Sequence, residues 1–82
     1  MKVEIISPVE KIYTGEIKFL QVPGSLGSFQ VLKNHAPIVS TLREGVIRLI
    51  DQADRESRFP VTGGVIEVKK NRIVVLVETV KS

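Results

Sequence analysis

Any chemistry in this chain would have to start from a single histidine. His35 is the only imidazole among 82 residues, and there is no cysteine. Thiolate nucleophiles, disulfides and cysteine metal sites are therefore excluded, and no pair of histidines exists to hold a metal. The serines stand in turns or strands, none of them in the Gly-x-Ser-x-Gly turn that exposes a nucleophile. The stretch Pro23-Gly24-Ser25-Leu26-Gly27 is glycine-rich but opens no helix, so it lacks the aligned amides of a phosphate cradle. A catalytic His35 would need a carboxylate folded against it, and nothing else in the chain resembles a site. The expectation is a domain with no catalytic residue, cofactor or metal. Two roles stay open for His35: a loop residue whose ring nitrogens bond the backbone, or a binding residue.

The elements that must position these residues are strands. Apolar positions recur with a period of two. Val3 and Ile5 alternate with Lys2 and Glu4 until Ser7-Pro8 stops the ladder, since proline has no N–H to give. Glu10 to Thr14 reads as a second strand ending in a bend at Gly15. Ile17 to Val22 reads as a third, with Ile17, Phe19 and Gln21 on one face and Lys18, Leu20 and Val22 on the other. Pro23-Gly24 signals a turn. Phe29 to Leu32, Ile38 to Leu42 and Val46 to Ile50 follow, and the polar Asp51 to Ser57 reads as a hairpin loop. Arg58 to Thr62 carries Pro60, which places it at a sheet edge or a bulge. Gly63-Gly64 predicts positive φ or a close backbone approach, and Asn71 a left-handed turn. The last strand, Arg72 to Val80, is apolar on both faces through Ile73–Val77, which predicts that both are covered. About nine short strands at turn spacings of about 8–12 residues predict an all-β sandwich or closed barrel. Leu26, between two glycines, either tucks under its loop or stands at the tip.

Length allows one domain, residues 1–82, and an apolar content of 43% is enough for its core. Aromatic residues make up only 5% and there is no Trp, so that core is built from Val, Ile and Leu. No signal peptide is visible, and the apolar run Ile73–Val77 is far short of a membrane span. The expectation is a soluble, cytoplasmic protein. The net charge of +3 and pI of about 9.5 raise a rival reading, a small basic β-barrel that binds nucleic acid. Against it, the charges are interleaved, with Lys69-Lys70 the only basic doublet, and Tyr13, Phe19, Phe29 and Phe59 are few and fall where a core needs them.

The punctuation is more specific as a set. Pro23-Gly24-x-x-Gly27-x-Phe29-x-Val31-Leu32-x-x-His35-Ala36-Pro37 is followed by Leu42, Gly45 and Ile47. Then come Gly63-Gly64-x-x-Glu67-Val68-x-x-Asn71, Ile73–Val77 and Glu78-Thr79. From Val3 to Thr79 this resembles the N-terminal domain of the epsilon subunit of bacterial F-type ATP synthases. The resemblance implies a flattened β-sandwich of about ten strands. It also implies a non-catalytic place in the rotor's central stalk, at the cytoplasmic face of the bacterial membrane, where the domain fastens the gamma subunit to the ring of c subunits. It puts Ser7, His35, Ser40, Thr62 and Glu67 toward gamma, and Ser25, Leu26, Gly27, Ser28 and Phe29 toward the c-ring.

Three departures accompany the resemblance. Family members continue into a pair of C-terminal helices that restrain hydrolysis and in some species bind ATP; a chain stopping at Ser82 would lack that arm and its ATP site. No Asp or Glu lies between Val22 and Arg43, so the expected c-ring contact is apolar or hydrogen-bonded rather than ionic. Gln30, Lys33 and Asn34 replace the family's Gly and Pro-Gly before His35, which predicts an altered turn there.

Overall fold

The computed structural model describes residues 1–79. Eight strands form, β1 (Lys2–Ile6), β2 (Lys11–Gly24), β3 (Gly27–Val31), β4 (Ile38–Leu42), β5 (Gly45–Asp51), β6 (Glu56–Val61), β7 (Gly64–Lys69) and β8 (Arg72–Val77). The all-β expectation stands. The alternation predicts about nine strands and eight form, because the stretches before and after Gly15 are one strand.

That strand, β2, organises the molecule. Fourteen extended residues would span about 46 Å if straight, yet the Cα trace measures only 27 × 25 × 19 Å. The strand must therefore bend, and it does so where its register slips between Ile17 and Phe19. The slip corrects the expected alternation. Ile17, Leu20 and Val22 are all fully buried while Lys18 is exposed, because the extra residue at the bulge restarts the period-two count. Upstream of the bulge, β2 pairs with β1, and the sheet continues through β8 and β7 to β4. Downstream, β2 lies between β3 and β5, and β6 is the outer edge beyond β5. One strand thus serves two sheets that face each other.

The core between them comes from one parity of each strand. Val3, Ile5, Ile66, Val68, Ile73, Val75 and Val77 belong to the first sheet and Leu20, Val22, Val31, Ile47, Leu49 and Val61 to the second, all buried. Both sides of the sandwich are closed. On one, Tyr13 of β2 meets Phe59 of β6 with ring centroids 5.8 Å apart. On the other, Gly24 pairs with Leu42 and the Ser25 N–H donates to the Thr41 carbonyl.

Pro60 sits on the edge strand β6 as expected. The last strand differs: Leu76 is 52% exposed and Val74 only half-buried. β8 lies between β1 and β7 in one layer, so only its Ile73, Val75 and Val77 face reaches the core. Of the paired glycines, neither has positive φ. Gly64 instead answers a close approach, since a Cβ there would lie 2.2 Å from the Leu76 carbonyl oxygen.

Candidate functional site

The loops gather at two opposite ends. At the Leu26 end lie the β1–β2 turn, the β2–β3 turn, the β4–β5 turn and the segment after β8. They are tied by hydrogen bonds from Arg43 N–H to the Pro23 carbonyl, Thr62 N–H to Thr79 and Glu78 N–H to Gly63. At the His35 end lie Met1, the β3–β4 loop, the β5–β6 hairpin and the β7–β8 turn. There the Lys2 N–H donates to the Asn71 carbonyl, and the Met1 ammonium and Gln52 amide both donate to the Ile17 carbonyl.

The β2–β3 connection is a two-residue hairpin, Ser25-Leu26, with Gly24 opposite Gly27. Gly27 has φ of 140°, a region a side chain rarely enters. Leu26 is 106% exposed, which settles its two readings in favour of the tip. Ser25 is braced from below, its hydroxyl 2.7 Å from the Thr41 hydroxyl, and the Gln21 amide donates to the Ser28 hydroxyl at 3.2 Å. Phe29 departs from its companions. It shares the inward parity of Val22, and its ring packs against the core beneath the space left by Gly24. Ser25, Leu26 and Ser28 are thus offered outward, and Phe29 supports them.

The residues expected to face gamma do not form one cluster. Ser7 closes the β1–β2 turn at the Leu26 end, its hydroxyl accepting from the Val9 and Glu10 amides. Thr62 follows β6 at the same end. Glu67 lies on the outer face of the first sheet, opposite Val39, with Lys69 4.0 Å away. Ser40 pairs with the buried Ile66 and so has inward parity, reachable only across the β4 edge. His35 stands at the far end. Its Nδ1 donates to the Ala36 carbonyl at 2.6 Å, the backbone brace expected of it. In the turn before it Asn34 adopts φ of 67°, and in the β7–β8 turn Asn71 adopts φ of 56°, the left-handed conformation that asparagine tolerates.

Electrostatically, the carboxylates serve structure. Glu4, held by Lys11 at 3.2 Å and Arg72 at 3.5 Å, titrates below the usual range because Lys11 hydrogen-bonds it. Asp51 is lowered chiefly by the Arg55 backbone N–H inside its hairpin, and Glu56 chiefly by the Arg58 guanidinium. Arg48 covers the Phe19 ring at 4.9 Å and donates to Gln21. Its Nε lies 3.2 Å from Glu56 but points out of line for a hydrogen bond, so that contact is one of charge alone. No group of three or more His, Asp or Glu side chains among the described residues is placed to hold a metal. Tyr13, Phe29 and Phe59 pack on the core and Phe19 is half-buried with Arg48 over its ring, which leaves no open aromatic platform among the described residues for stacking bases.

Residues 1–82 match the family described as ATP synthase, Delta/Epsilon chain, beta-sandwich domain. The chain belongs to this family. Among its delta/epsilon relatives, the ATP synthase epsilon chain of Leptospira borgpetersenii is 44% identical over 78 residues, covering 95% of this chain and 61% of that one. The ATP synthase epsilon chain of Bordetella parapertussis is 34% identical over 79 residues, covering 96% and 56%. The chain therefore spans somewhat more than half the length of these relatives. In shape it is similar to a chain of the Euglena gracilis mitochondrial ATP synthase OSCP/F1/c-ring structure, at TM-score 0.90 and 15% identity over 96% of this chain and 51% of that one. It is also similar to one of the Tetrahymena thermophila mitochondrial ATP synthase central stalk/c-ring, at TM-score 0.82 and 16% identity over 100% and 66%. At that identity the likeness shows that the delta/epsilon sandwich fold is shared. Among the described residues no helix is long and apolar enough to cross a membrane.

Proposed function

We propose that this domain is the non-catalytic coupling module of an ATP synthase rotor. It sits in the central stalk at the cytoplasmic face of the membrane and joins the gamma subunit to the c-ring, so that ion-driven rotation of the ring becomes torque on gamma. The observation that carries this reading is the match to the delta/epsilon sandwich family along the whole chain. The architecture suits the task. A torque-bearing link must not shear, and here one bent strand belongs to both sheets while aromatic and backbone contacts close both sides. The Ser25–Ser28 hairpin, with Leu26 at its tip, is the proposed contact with the polar loops of the c-ring, buttressed by Phe29. Ser7, Thr62, Ser40 and Glu67 along the first sheet, with His35 at its far end, are the proposed gamma contacts.

Co-expression with the cognate gamma and c subunits tests the reading. Tagged domain should retain gamma through purification, and reconstituted complexes should hold the c-ring. A domain that recovers neither subunit, while folded by circular dichroism, refutes it.

A further inference from the structure

The interleaved charges of the sequence separate in the fold. Three segments distant in the chain meet at the His35 end: the N-terminus, the β3–β4 loop and the β7–β8 turn. They bring Lys2, Lys33, Lys69, Lys70 and Arg72. The carboxylate beside them on β2, Glu16, lies opposite Lys2 and pairs with the Met1 ammonium at 3.6 Å. Two of these cations are engaged, Arg72 with Glu4 and Lys69 with Glu67. Lys2, Lys33 and Lys70 are exposed and have no carboxylate partner among the described residues. The neighbouring β5–β6 hairpin is locally neutral, since Lys18 pairs with Asp54 and Arg55 with Asp51.

Between these cations lies a groove of about 340 Å³, lined by Asn34, His35, Ala36, Pro37, Lys70 and Asn71. A smaller hollow of about 10 Å³, where Val31, Val68 and Ile73 pack, shares Asn34, His35 and Asn71 with it. The groove's own chemistry is mixed: Ala36 and Pro37 are exposed within it, Leu32 is 50% exposed beside it, and Lys70 lines it. Lys33 adjoins Asn34 in the chain, and the Lys2 N–H donates to the Asn71 carbonyl, so both stand next to lining residues. Unpaired cations raise the local concentration of anionic partners and orient them. A bare phosphate gains nothing from the apolar lining. A nucleic-acid strand would need stacking rings, and none lines the groove.

We propose that this end of the sandwich docks an acidic polypeptide segment of the rotor partner, one that sets Asp or Glu side chains against Lys33, Lys70 and Lys2 and an apolar side chain onto Ala36 and Pro37. The inference rests on the rotor reading and names the chemistry by which the gamma subunit is recognised at His35.

The test is isothermal titration of the chain with its cognate gamma subunit at about 50 mM and about 0.5 M salt, which brackets strong and weak screening. Lys33→Glu/Lys70→Glu should weaken binding about tenfold at low salt, and by much less at high salt. Lys33→Gln/Lys70→Gln should fall between that variant and the unmodified chain. Arg55→Glu/Arg58→Glu changes the net charge equally on the neutral hairpin and should bind within about twofold of the unmodified chain, the small effect expected of charges outside an interface. Circular dichroism checks that each variant is folded. Equal losses in both charge-reversal variants, or a loss independent of salt, overturn the proposal while leaving the rotor reading in place. The unmodified chain is also titrated with phosphatidylglycerol vesicles and an oligothymidine strand. Charge-dependent binding to either of these, with gamma binding unchanged by the substitutions, assigns the groove to a lipid surface or a nucleic acid and overturns it too. Failure of the unmodified chain to bind gamma at all refutes the rotor reading and this inference with it.

Discussion

Gly63 and Gly64 are adjacent, yet the structure predicts that alanine will be tolerated at one and costly at the other. A Cβ at Gly64 would lie 2.2 Å from the Leu76 carbonyl oxygen and 3.0 Å from the Val77 Cα. Both obstacles are backbone of β8, so no side chain can swing aside. Relief requires β7 to move about 1 Å from β8 at the Gly64–Val77 pair, two positions from the buried pair Ile66 and Val75, and overpacking of this kind costs about 1–3 kcal/mol. Because the obstacles are rigid backbone, the cost belongs near about 3 kcal/mol, the top of that range. The loss of unfolded-chain freedom on replacing glycine offsets about 0.4–1 kcal/mol of it, leaving a net cost of roughly 2–2.6 kcal/mol. A domain of this size loses about 4–8 °C per kcal/mol, so the melting temperature should fall by about 8–20 °C. At Gly63 the nearest atom is Glu78 Oε1 at 3.1 Å, the mobile end of an exposed side chain. Neither glycine has positive φ, so Gly63→Ala should be neutral within about 0.5 kcal/mol or slightly stabilising. Urea titration of both variants with the unmodified chain, fitted with a common slope, measures the difference. Equal midpoints for the two variants, or a neutral Gly64→Ala, would refute the close-approach argument and with it the assigned packing of β7 on β8.

Three further outcomes follow from the same structure. Leu26→Asp should leave the melting temperature unchanged, because the side chain touches nothing, but should weaken c-ring retention in reconstituted complexes; unchanged retention would exclude an apolar contact at the hairpin tip. Asn34→Ala and Asn71→Ala should each cost about 1–2 kcal/mol in urea titrations, the penalty for an ordinary residue in the left-handed region, whereas glycine at either position should restore most of it. Stability should also decline in acid. Glu4, Asp51 and Glu56 all titrate below their ordinary range in the folded state, so their contribution is complete above the unfolded-chain values near about 4. It is lost as pH falls through the lower folded values. Melting curves from neutral pH down to about 3 should show this, and Glu4→Gln should flatten the decline; an unaltered slope would deny Glu4 a part in it.

Much of the architecture was legible in the chain because strands announce themselves by a period of two. Val3 and Ile5 were core residues by alternation alone, Pro60 marked an edge by its missing N–H, and Asn71 marked a left-handed turn. The family was readable in the spacing of glycines, prolines and His35. Local pattern misled where an extra residue intervened. Alternation placed Ile17 on the face opposite Leu20, whereas the bulge buries both, because a one-residue slip is invisible until a partner strand fixes the count. The outer face of Ile73–Val77 looked covered because apolar residues on both parities are compatible with either one layer or two.

The feature that only tertiary structure decided is the distribution of contacts and charge over the surface. Leu26 and His35 are nine positions apart in the chain and belong to one motif, yet β3 carries the chain from one end of the sandwich to the other and separates them. Lys2, Lys33 and Lys70 are scattered along the sequence, and nothing in their spacing makes them neighbours. They converge because β1 lies parallel to β8 and β7 pairs with β4, which brings three chain segments to one end. Residue types and their local periods determine which elements form. Where their side chains meet depends on pairings between distant strands, which no local period encodes.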